Sequence, residues 1–248
     1  MSRAGKKHGR NEEWIYGRHA VRAALQNPNR EILRFVVLES CRDFPNGCGA
    51  SAQKSEIVDR NFFNALFGKE AIHQGCAVLT EKLREYSVEE LAEDEADLRP
   101  FVFLDQVSDP QNVGSILRAA AVLGARAVVV PENNSPTLTP AIIKAASGAV
   151  ERVPFIRAVN LVQTINNLKK HGFWCVGLDE RSDRKISETP LKGKFIIVIG
   201  SEGEGMRRLT REACDFLVKL HSFGDFSTLN AAQAAVISLY EVLRQNEA

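Results

Sequence analysis

The sequence lacks the patterns that mark most membrane, metal-binding and nucleotide-binding proteins. Its 248 residues contain no run of 18 apolar residues, so we expect no transmembrane helix. Its five cysteines are irregularly spaced and form no C-x-x-C pair, which disfavours a zinc or redox motif and predicts reduced thiols without a metal. A G-x-G-x-x-G fingerprint and a G-x-x-x-x-G-K-[ST] loop are both missing, which argues against a dehydrogenase or a P-loop nucleotidase.

Charge and composition indicate a globular protein of two domains. Hydrophobic residues make up 44% and charged residues 25% of the chain, and the net charge is only +1. The charge is unevenly distributed, because residues 1–12 are rich in Lys and Arg whereas residues 81–98 are rich in Asp and Glu. We therefore predict a basic tail at 1–12, a first domain at 13–80, an acidic linker at 81–98 and a second domain at 99–248. The tail has no apolar core that would make it a secretory signal, and we expect a cytoplasmic protein.

The first domain is predicted to be a small α/β unit. Its pattern indicates helices over 18–26 and 60–67, and strands over 32–38 and 77–79. Arg18 and Arg22 are four residues apart and so share one helix face. That face is either simply solvated or a contact surface for phosphates.

The second domain alternates strands and helices, as expected of a parallel sheet. Its central strand is predicted over 195–199, followed by a loop with Gly200, Gly203 and Gly205. Ligands bind beyond the carboxyl ends of parallel strands, so we expect a small molecule to touch this loop. A last helix is predicted over 229–245, and its expected buried face is Leu229, Ala232, Val236, Leu239, Tyr240 and Leu243.

Three segments of the second domain carry polar residues next to strand ends or helix starts. The first has the pattern N-x-G-x-x-x-R from Asn112 to Arg118, the second is GSEGEG at 200–205, and the third is Leu229-Asn230 after the hydroxyl residue Thr228. In order and spacing they resemble the three motifs of the SpoU (TrmH) family of RNA ribose 2′-O-methyltransferases. Residues 15–21, 73–75 and 206–212 also look like members that methylate a guanosine of 23S ribosomal RNA, and the resemblance extends over roughly residues 13 to 245.

This resemblance implies an α/β fold in which the C-terminal parallel-sheet domain forms a trefoil knot around S-adenosylmethionine. By motif match, the cofactor would be held by Gly200, Leu220, Thr228, Leu229 and Asn230. It also implies a homodimer packed through the knotted domain. The small N-terminal domain would recruit RNA, with Arg18 and Arg22 as phosphate contacts.

The resemblance assigns the chemistry to Arg118, Asn112 and Glu202. Such a reaction needs a ribose hydroxyl aligned with the methyl group and help in losing its proton. A guanidinium hardly ever gives up its own proton, so we expect Arg118 to act as a phosphate clamp more than as a base. Asn112 would orient the ribose or Arg118, and Glu202 would hold an arginine or a loop amide.

One segment departs from the family pattern and keeps alternatives open. His221-Ser222 stands where relatives commonly have Pro-Met, and Thr228 replaces their serine. The expected function is 2′-O-methylation of a 23S ribosomal RNA guanosine. The alternatives are methylation of transfer RNA, or a catalytically silent RNA-binding factor in ribosome assembly.

Overall fold

The chain forms two compact units, which divide between residues 84 and 85. A computed structural model of the protein describes residues 11–46, 55–133, 137–223 and 229–247. None of the helices within these ranges combines the length and the apolar character that crossing a bilayer requires.

Within its described residues, the first unit is a four-stranded mixed sheet with two α-helices. In chain order its elements are β1 (Glu12–Tyr16), α1 (Arg18–Gln26), β2 (Ile32–Leu38), β3 (Ser55–Val58), α2 (Arg60–Phe67) and β4 (Cys76–Glu81). The spatial order is β1-β4-β2-β3; β4 runs antiparallel to both of its neighbours, and β2 and β3 are parallel. The predicted α/β character of this unit is confirmed, although β1 and β3 were not predicted.

The second unit is built on a six-stranded sheet in which every neighbouring pair is parallel, as predicted. Its strands are β5 (Phe101–Leu104), β6 (Ala127–Pro131), β7 (Phe155–Ala158), β8 (Trp174–Leu178), β9 (Phe195–Ile199) and β10 (Phe216–Val218), in the spatial order β10-β8-β9-β5-β6-β7. Its helices are α3 (Val88–Ala92), α4 (Pro110–Leu123), α5 (Pro140–Ala146), α6 (Leu161–Lys170), α7 (Arg208–Ala213) and α8 (Ala231–Glu247). Strand β9 is wholly buried, because helices cover both faces of the sheet around it. The trefoil knot stays a prediction.

The buried face of α8 differs from the predicted one. Its most buried residues are Ala231, Ala232, Ala235, Ser238, Leu239 and Val242, whereas Leu229, Val236 and Tyr240 are exposed and Leu243 is half-buried. Small side chains at 231, 235 and 238 let this face of the helix approach α4 closely. Leu239 and Val242 are buried with them, whereas Val236 and Tyr240 point away. The prediction that Leu229, Val236 and Tyr240 are buried is wrong.

Part of the acidic segment 81–98 belongs to the core of the second unit. Val88 and Ala92 of α3 are buried against α6. Asp97 accepts hydrogen bonds from the Nε atoms of Arg99 and Arg126, both at 2.9 Å. Burial by itself raises the pKa of a carboxylate, but these hydrogen bonds outweigh it and hold the pKa of Asp97 well below its usual range. Specific contacts therefore hold part of the acidic segment 81–98 against the second unit.

Candidate active site

A cavity of about 670 Å³ lies at the carboxyl ends of β8, β9 and β10, in the second unit. The last residues of these strands, Leu178, Ile199 and Val218, form its floor. The loop 200–206 and the first turn of α8 form its walls, together with residues 179–181 and 219–220. The cavity therefore occupies the crevice where parallel α/β sheets bind their ligands.

The glycine loop is a closed turn whose shape depends on Gly200. Ser201 and Gly205 exchange two backbone hydrogen bonds, of 3.1 and 3.0 Å. A Cβ atom on Gly200 would lie 2.6 Å from the carbonyl oxygen of Gly205 and still closer to its carbonyl carbon. Only glycine at this position therefore allows the turn to fold back onto the strand.

An ion pair between a buried carboxylate and a half-exposed arginine fixes the point where the loop enters α7. Asp105 follows β5 and is fully buried. Its carboxylate accepts hydrogen bonds from Nε of Arg207 at 2.7 Å and from the Arg207 backbone N–H at 2.8 Å. Sequence reasoning missed this pair, because the two residues are 102 positions apart and the family resemblance of residues 206–212 does not reveal a partner for Arg207.

Glu202 joins the three segments identified in the sequence. Its Oε1 atom accepts a hydrogen bond of 2.8 Å from the Asn112 side chain, near the start of α4. The same oxygen accepts one of 3.4 Å from the backbone N–H of Ala231, at the start of α8. A carboxylate is well suited to a helix start, where N–H groups lack partners within the helix.

The predicted cofactor residues lie together around the cavity, with one exception that falls outside the described residues. Gly200, Leu220, Leu229 and Asn230 all line the cavity, as does Glu202. Thr228 is not among the residues that the structure describes. In the segment that departs from the family pattern, Ser222 lines the cavity and His221 is exposed.

Of the predicted catalytic residues, Glu202 lines the cavity, and Asn112 does not line it but contacts Glu202. Arg118 does not line the cavity either. It lies on the outer face of α4, exposed, while Val113, Ile116 and Leu117 are buried on the opposite side. This orientation is the predicted one. Within the described part of the chain, its guanidinium has no hydrogen-bond or ion-pair partner.

The cavity wall carries both charge signs. Arg211 forms an ion pair of 2.7 Å with Asp179, which partly neutralises this wall. Lys219 also lines the cavity and forms no ion pair with any described residue. Its ammonium is therefore free to meet a negatively charged group of a ligand.

In the first unit, Arg18 and Arg22 lie on one side of a smaller cavity of about 280 Å³. Their guanidinium carbons are 5.8 and 5.7 Å from the centroid of the same ring, that of Phe44. The Arg18 side chain donates a hydrogen bond to the thiol of Cys41 at 3.5 Å. Among the described residues neither arginine pairs with a carboxylate, so both charges remain available to an anion.

Residues 73–75 contact two of the residues that line this cavity, Arg18 and Cys41. The side-chain oxygen of Gln74 accepts a hydrogen bond of 2.9 Å from the backbone N–H of Arg18, the first residue of α1. A Cβ on Gly75 would collide with the thiol of Cys41. These residues thus hold α1 and the Cys41 segment in place beside the two arginines.

The fold and the cavity define an α/β protein that binds a small molecule at the ends of parallel strands. It is joined to a unit whose Arg18 and Arg22 have no carboxylate partner among the described residues. The sequence profile of the SpoU rRNA methylase family matches residues 99–240, and a profile described as RNA 2′-O ribose methyltransferase substrate binding matches residues 14–86. The chain belongs to the SpoU rRNA methylase family. The family, and with it the methyltransferase class, is as predicted.

Curated relatives resemble this chain over nearly its whole length. A 23S rRNA (guanosine-2′-O-)-methyltransferase of Pseudomonas putida is 37% identical, over 95% of this chain and 97% of the relative. The protein of the same description from Escherichia coli is also 37% identical, over 94% of this chain and 98% of the relative.

A solved structure has the same fold. It is the SpoU methyltransferase AviRb from Streptomyces viridochromogenes in complex with the cofactor AdoMet. Its TM-score is 0.77 at 21% identity, and the match covers 95% of this chain and 90% of that one. The match confirms the predicted fold class.

Proposed function

We propose that this protein transfers a methyl group from S-adenosylmethionine to the ribose 2′-hydroxyl of a guanosine in 23S ribosomal RNA. The observation that carries the proposal is the cavity at the ends of β8, β9 and β10. The second and third family motifs line it, and Asn112 of the first motif is hydrogen-bonded to Glu202 in its lining. The RNA target is supported by the names of relatives that are 37% identical over almost the whole chain. A ribosomal RNA substrate would place the protein in the cytoplasm.

The cavity fits S-adenosylmethionine in size and in chemistry. Its 670 Å³ is within the range of about 300–1,000 Å³ typical of small-molecule sites. Leu178, Leu220 and Leu229 offer apolar surface for the adenine ring, and the backbone of loop 200–206 offers hydrogen-bonding groups. Bound there, the cofactor supplies a methyl group that is already electrophilic. In this proposal residues 99–248 form the catalytic domain.

Glu202 and Asn112 position the reacting groups. Their hydrogen bond of 2.8 Å fixes the Asn112 amide at the cavity rim, where it can donate to or accept from a ribose hydroxyl. Glu202 in turn holds the start of α8, which forms one wall. Both residues therefore act mainly by holding the ribose in line with the methyl group, which removes much of the entropic part of the barrier.

Arg118 acts as a phosphate clamp in this proposal. A guanidinium stays protonated in proteins, so it stabilises negative charge more readily than it accepts a proton. The exposure of Arg118 outside the cavity supports a grip on the RNA backbone, because a phosphate beside the target ribose is accessible from the rim. Its charge would stabilise the developing alkoxide, and the gripped phosphate could relay the proton.

The first unit recruits RNA through Arg18 and Arg22. Two guanidiniums that lie over one aromatic ring and pair with no described carboxylate match a phosphate with an adjacent unstacked base. A merely solvated helix face needs no cavity and no arginine stacking, so the geometry favours the functional interpretation.

The protein also forms a homodimer in this proposal. Val236, Ile237 and Tyr240 of α8 are 44, 42 and 57% exposed. An exposed apolar face on a helix commonly marks a protein interface. Tyr240→Glu is expected to convert the dimer to a monomer in analytical ultracentrifugation, and a wild-type protein that sediments as a monomer would contradict the dimer.

The test of function combines binding with transfer. Calorimetric titration with S-adenosylmethionine and its demethylated product is expected to show micromolar binding of both. Incubation with unmodified 23S ribosomal RNA should then yield a single 2′-O-methylguanosine, located by mapping ribose methylation. Transfer to transfer RNA instead would favour the alternative substrate.

A silent RNA-binding factor is the second candidate, because His221-Ser222 changes a segment beside the cavity. RNA binding without cofactor binding or methyl transfer would favour it. Restoring Pro-Met at 221–222 would then be expected to recover cofactor binding.

A further inference from the structure

One edge of the parallel sheet exposes an aromatic surface that the proposed function does not use. Trp174 begins β8 and is 52% exposed. Phe216 of the edge strand β10 pairs in register with Val176, so it lies on the same sheet face as Trp174. The two rings are 5.7 Å apart between centroids and inclined at 33°. They form a platform that is exposed at Trp174 and half-buried at Phe216.

An arginine extends this platform toward the cavity. The guanidinium carbon of Arg184 lies 4.8 Å from the centroid of the Phe216 ring. We call Trp174, Phe216 and Arg184 the tryptophan strip. The carbonyl oxygen of Arg184 accepts a hydrogen bond of 2.8 Å from the backbone N–H of Lys219, which lines the cavity. A backbone hydrogen bond therefore links the Arg184 end of the strip to the cavity lining, whereas Trp174 and Phe216 stand at the starts of β8 and β10, away from the cavity.

Three lysines lie near Trp174 in the chain or through the backbone, and the ammonium of one of them, Lys194, lies 5.6 Å from the centroid of the buried Phe173 ring. The carbonyl of Lys194 accepts a hydrogen bond of 2.9 Å from the backbone N–H of Trp174. Lys192 lies two residues before Lys194, and Lys170 ends α6 four residues before Trp174. None of these lysines, nor Arg184, forms an ion pair with a residue that the structure describes. Asp215, next to Phe216, is engaged by Lys169 at 2.7 Å.

We propose that the tryptophan strip binds an unpaired segment of the RNA substrate. Bases would stack on Trp174 and Phe216, while Arg184 and the lysines would neutralise phosphates. Exposed aromatic rings beside unpaired cations are the arrangement by which proteins hold single-stranded nucleic acid. A protein partner would also cover the rings, but the unpaired positive charge around them favours a polyanion. The inference rests on RNA being the substrate.

The direct test follows the fluorescence of Trp174. The chain has two tryptophans, so Trp14→Phe leaves Trp174 as the only indole. The probes are a single-stranded oligoadenylate of roughly twelve nucleotides, within the usual site size, and an RNA duplex of the same length. Saturable quenching by the single strand, and weaker quenching by the duplex, is expected. The reciprocal Trp174→Phe variant should show no comparable quenching of Trp14.

The second test measures affinity by fluorescence anisotropy of the labelled oligonucleotide. Trp174→Ala is expected to weaken binding at least about fivefold, since stacking on one aromatic ring typically contributes 5- to 150-fold. Arg184→Gln should weaken it about threefold and reduce the slope of log affinity against log salt by about one. Arg157→Gln is the matched control, because Arg157 is an exposed arginine on β7, at the opposite edge of the same sheet. Its affinity and salt slope should be unchanged.

The outcomes separate this inference from the proposed function. If the wild-type protein methylates ribosomal RNA while Trp174→Ala keeps the wild-type KM for RNA and the wild-type oligonucleotide affinity, the strip is not an RNA site. If the wild-type protein methylates no RNA, the proposed function fails, and the quenching and affinity measurements still decide whether the strip binds RNA. Trp174 fluorescence that changes with protein concentration but not with RNA would overturn the inference in favour of contact between copies of this chain.

Discussion

Replacing Gly200 by alanine tests whether the closed turn shapes the cofactor site. The added Cβ would lie 2.6 Å from the Gly205 carbonyl oxygen and still closer to the Gly205 carbonyl carbon, whereas ordinary contact begins at 3.4 Å, so the backbone must retreat by at least about 0.8 Å. The obstacle is backbone and cannot rotate away, unlike a flexible side chain. Overpacking of this kind costs ~1–3 kcal/mol. The retreat also strains the two hydrogen bonds between Ser201 and Gly205, worth about 0.5–1.5 kcal/mol each.

Two measurements should report this change. Differential scanning calorimetry without ligand should show a melting temperature lower by roughly 2–12 °C, since each kcal/mol corresponds to roughly 2–4 °C in a domain of this size. Titration calorimetry should show S-adenosylmethionine binding weakened at least about tenfold, or ~1.4 kcal/mol. Gly203→Ala is the control within the same loop, because its Cβ meets nothing within 4 Å and only the positive φ of +89° is strained. Cofactor affinity lost equally in both variants, or in neither, would refute the packing argument.

Four further predictions concern other contacts. Arg118→Ala should abolish methyl transfer while leaving cofactor affinity nearly unchanged, and a collapse of that affinity would place Arg118 in the cofactor site. Glu202→Ala should weaken cofactor binding about three- to tenfold, because the Asn112 amide and the Ala231 N–H lose a shared acceptor; unchanged binding would make this junction dispensable. Gly114→Ala should lower the free energy of unfolding by ~1–3 kcal/mol, because the added Cβ would lie 3.0 Å from the Ala146 backbone nitrogen of α5. An unchanged denaturation midpoint would contradict this close packing. Because the pKa of Asp97 is lowered in the folded state, its ion pairs stabilise the fold above about pH 4, and this stabilisation is lost as the pH falls from there. Asp97→Asn should therefore have a lower melting temperature than the wild type at neutral pH, and should lose less stability than the wild type on acidification.

Periodic and buried segments could be predicted from the sequence, whereas short edge strands could not. The helices Arg18–Gln26 and Arg60–Phe67 and the strand Phe195–Ile199 have the predicted bounds, because each carries its own apolar pattern. The strand Phe216–Val218 has only three residues and pairs only with β8. Such a strand forms because a neighbour offers hydrogen bonds, and that information lies elsewhere in the chain.

The same distinction applies to the candidate site. Glycines at 200, 203 and 205 predicted a ligand loop, because a close approach of two backbone segments and a positive φ both favour glycine, and glycine is visible in the sequence. The ion pair of Asp105 with Arg207 could not be predicted in this way, because Asp and Arg are common surface residues and only the fold brings these two together. The outward orientation of Tyr240 was missed for a related reason, because the sequence shows an apolar stripe but not which side of it meets α4.

The Glu202 junction explains why motifs nearly 120 positions apart form one functional unit. No single segment forms the cavity, because its lining comes from the ends of three strands, the glycine loop and the start of α8. One carboxylate oxygen holds Asn112 on α4 and the Ala231 N–H on α8 beside the loop that carries it. Loss of any of these elements therefore removes part of the cofactor site, and a cofactor that contacts all of them binds only the assembled state. Such binding stabilises the fold by RT ln(1 + [L]/Kd), so added cofactor must raise the stability of the α4–α8 packing.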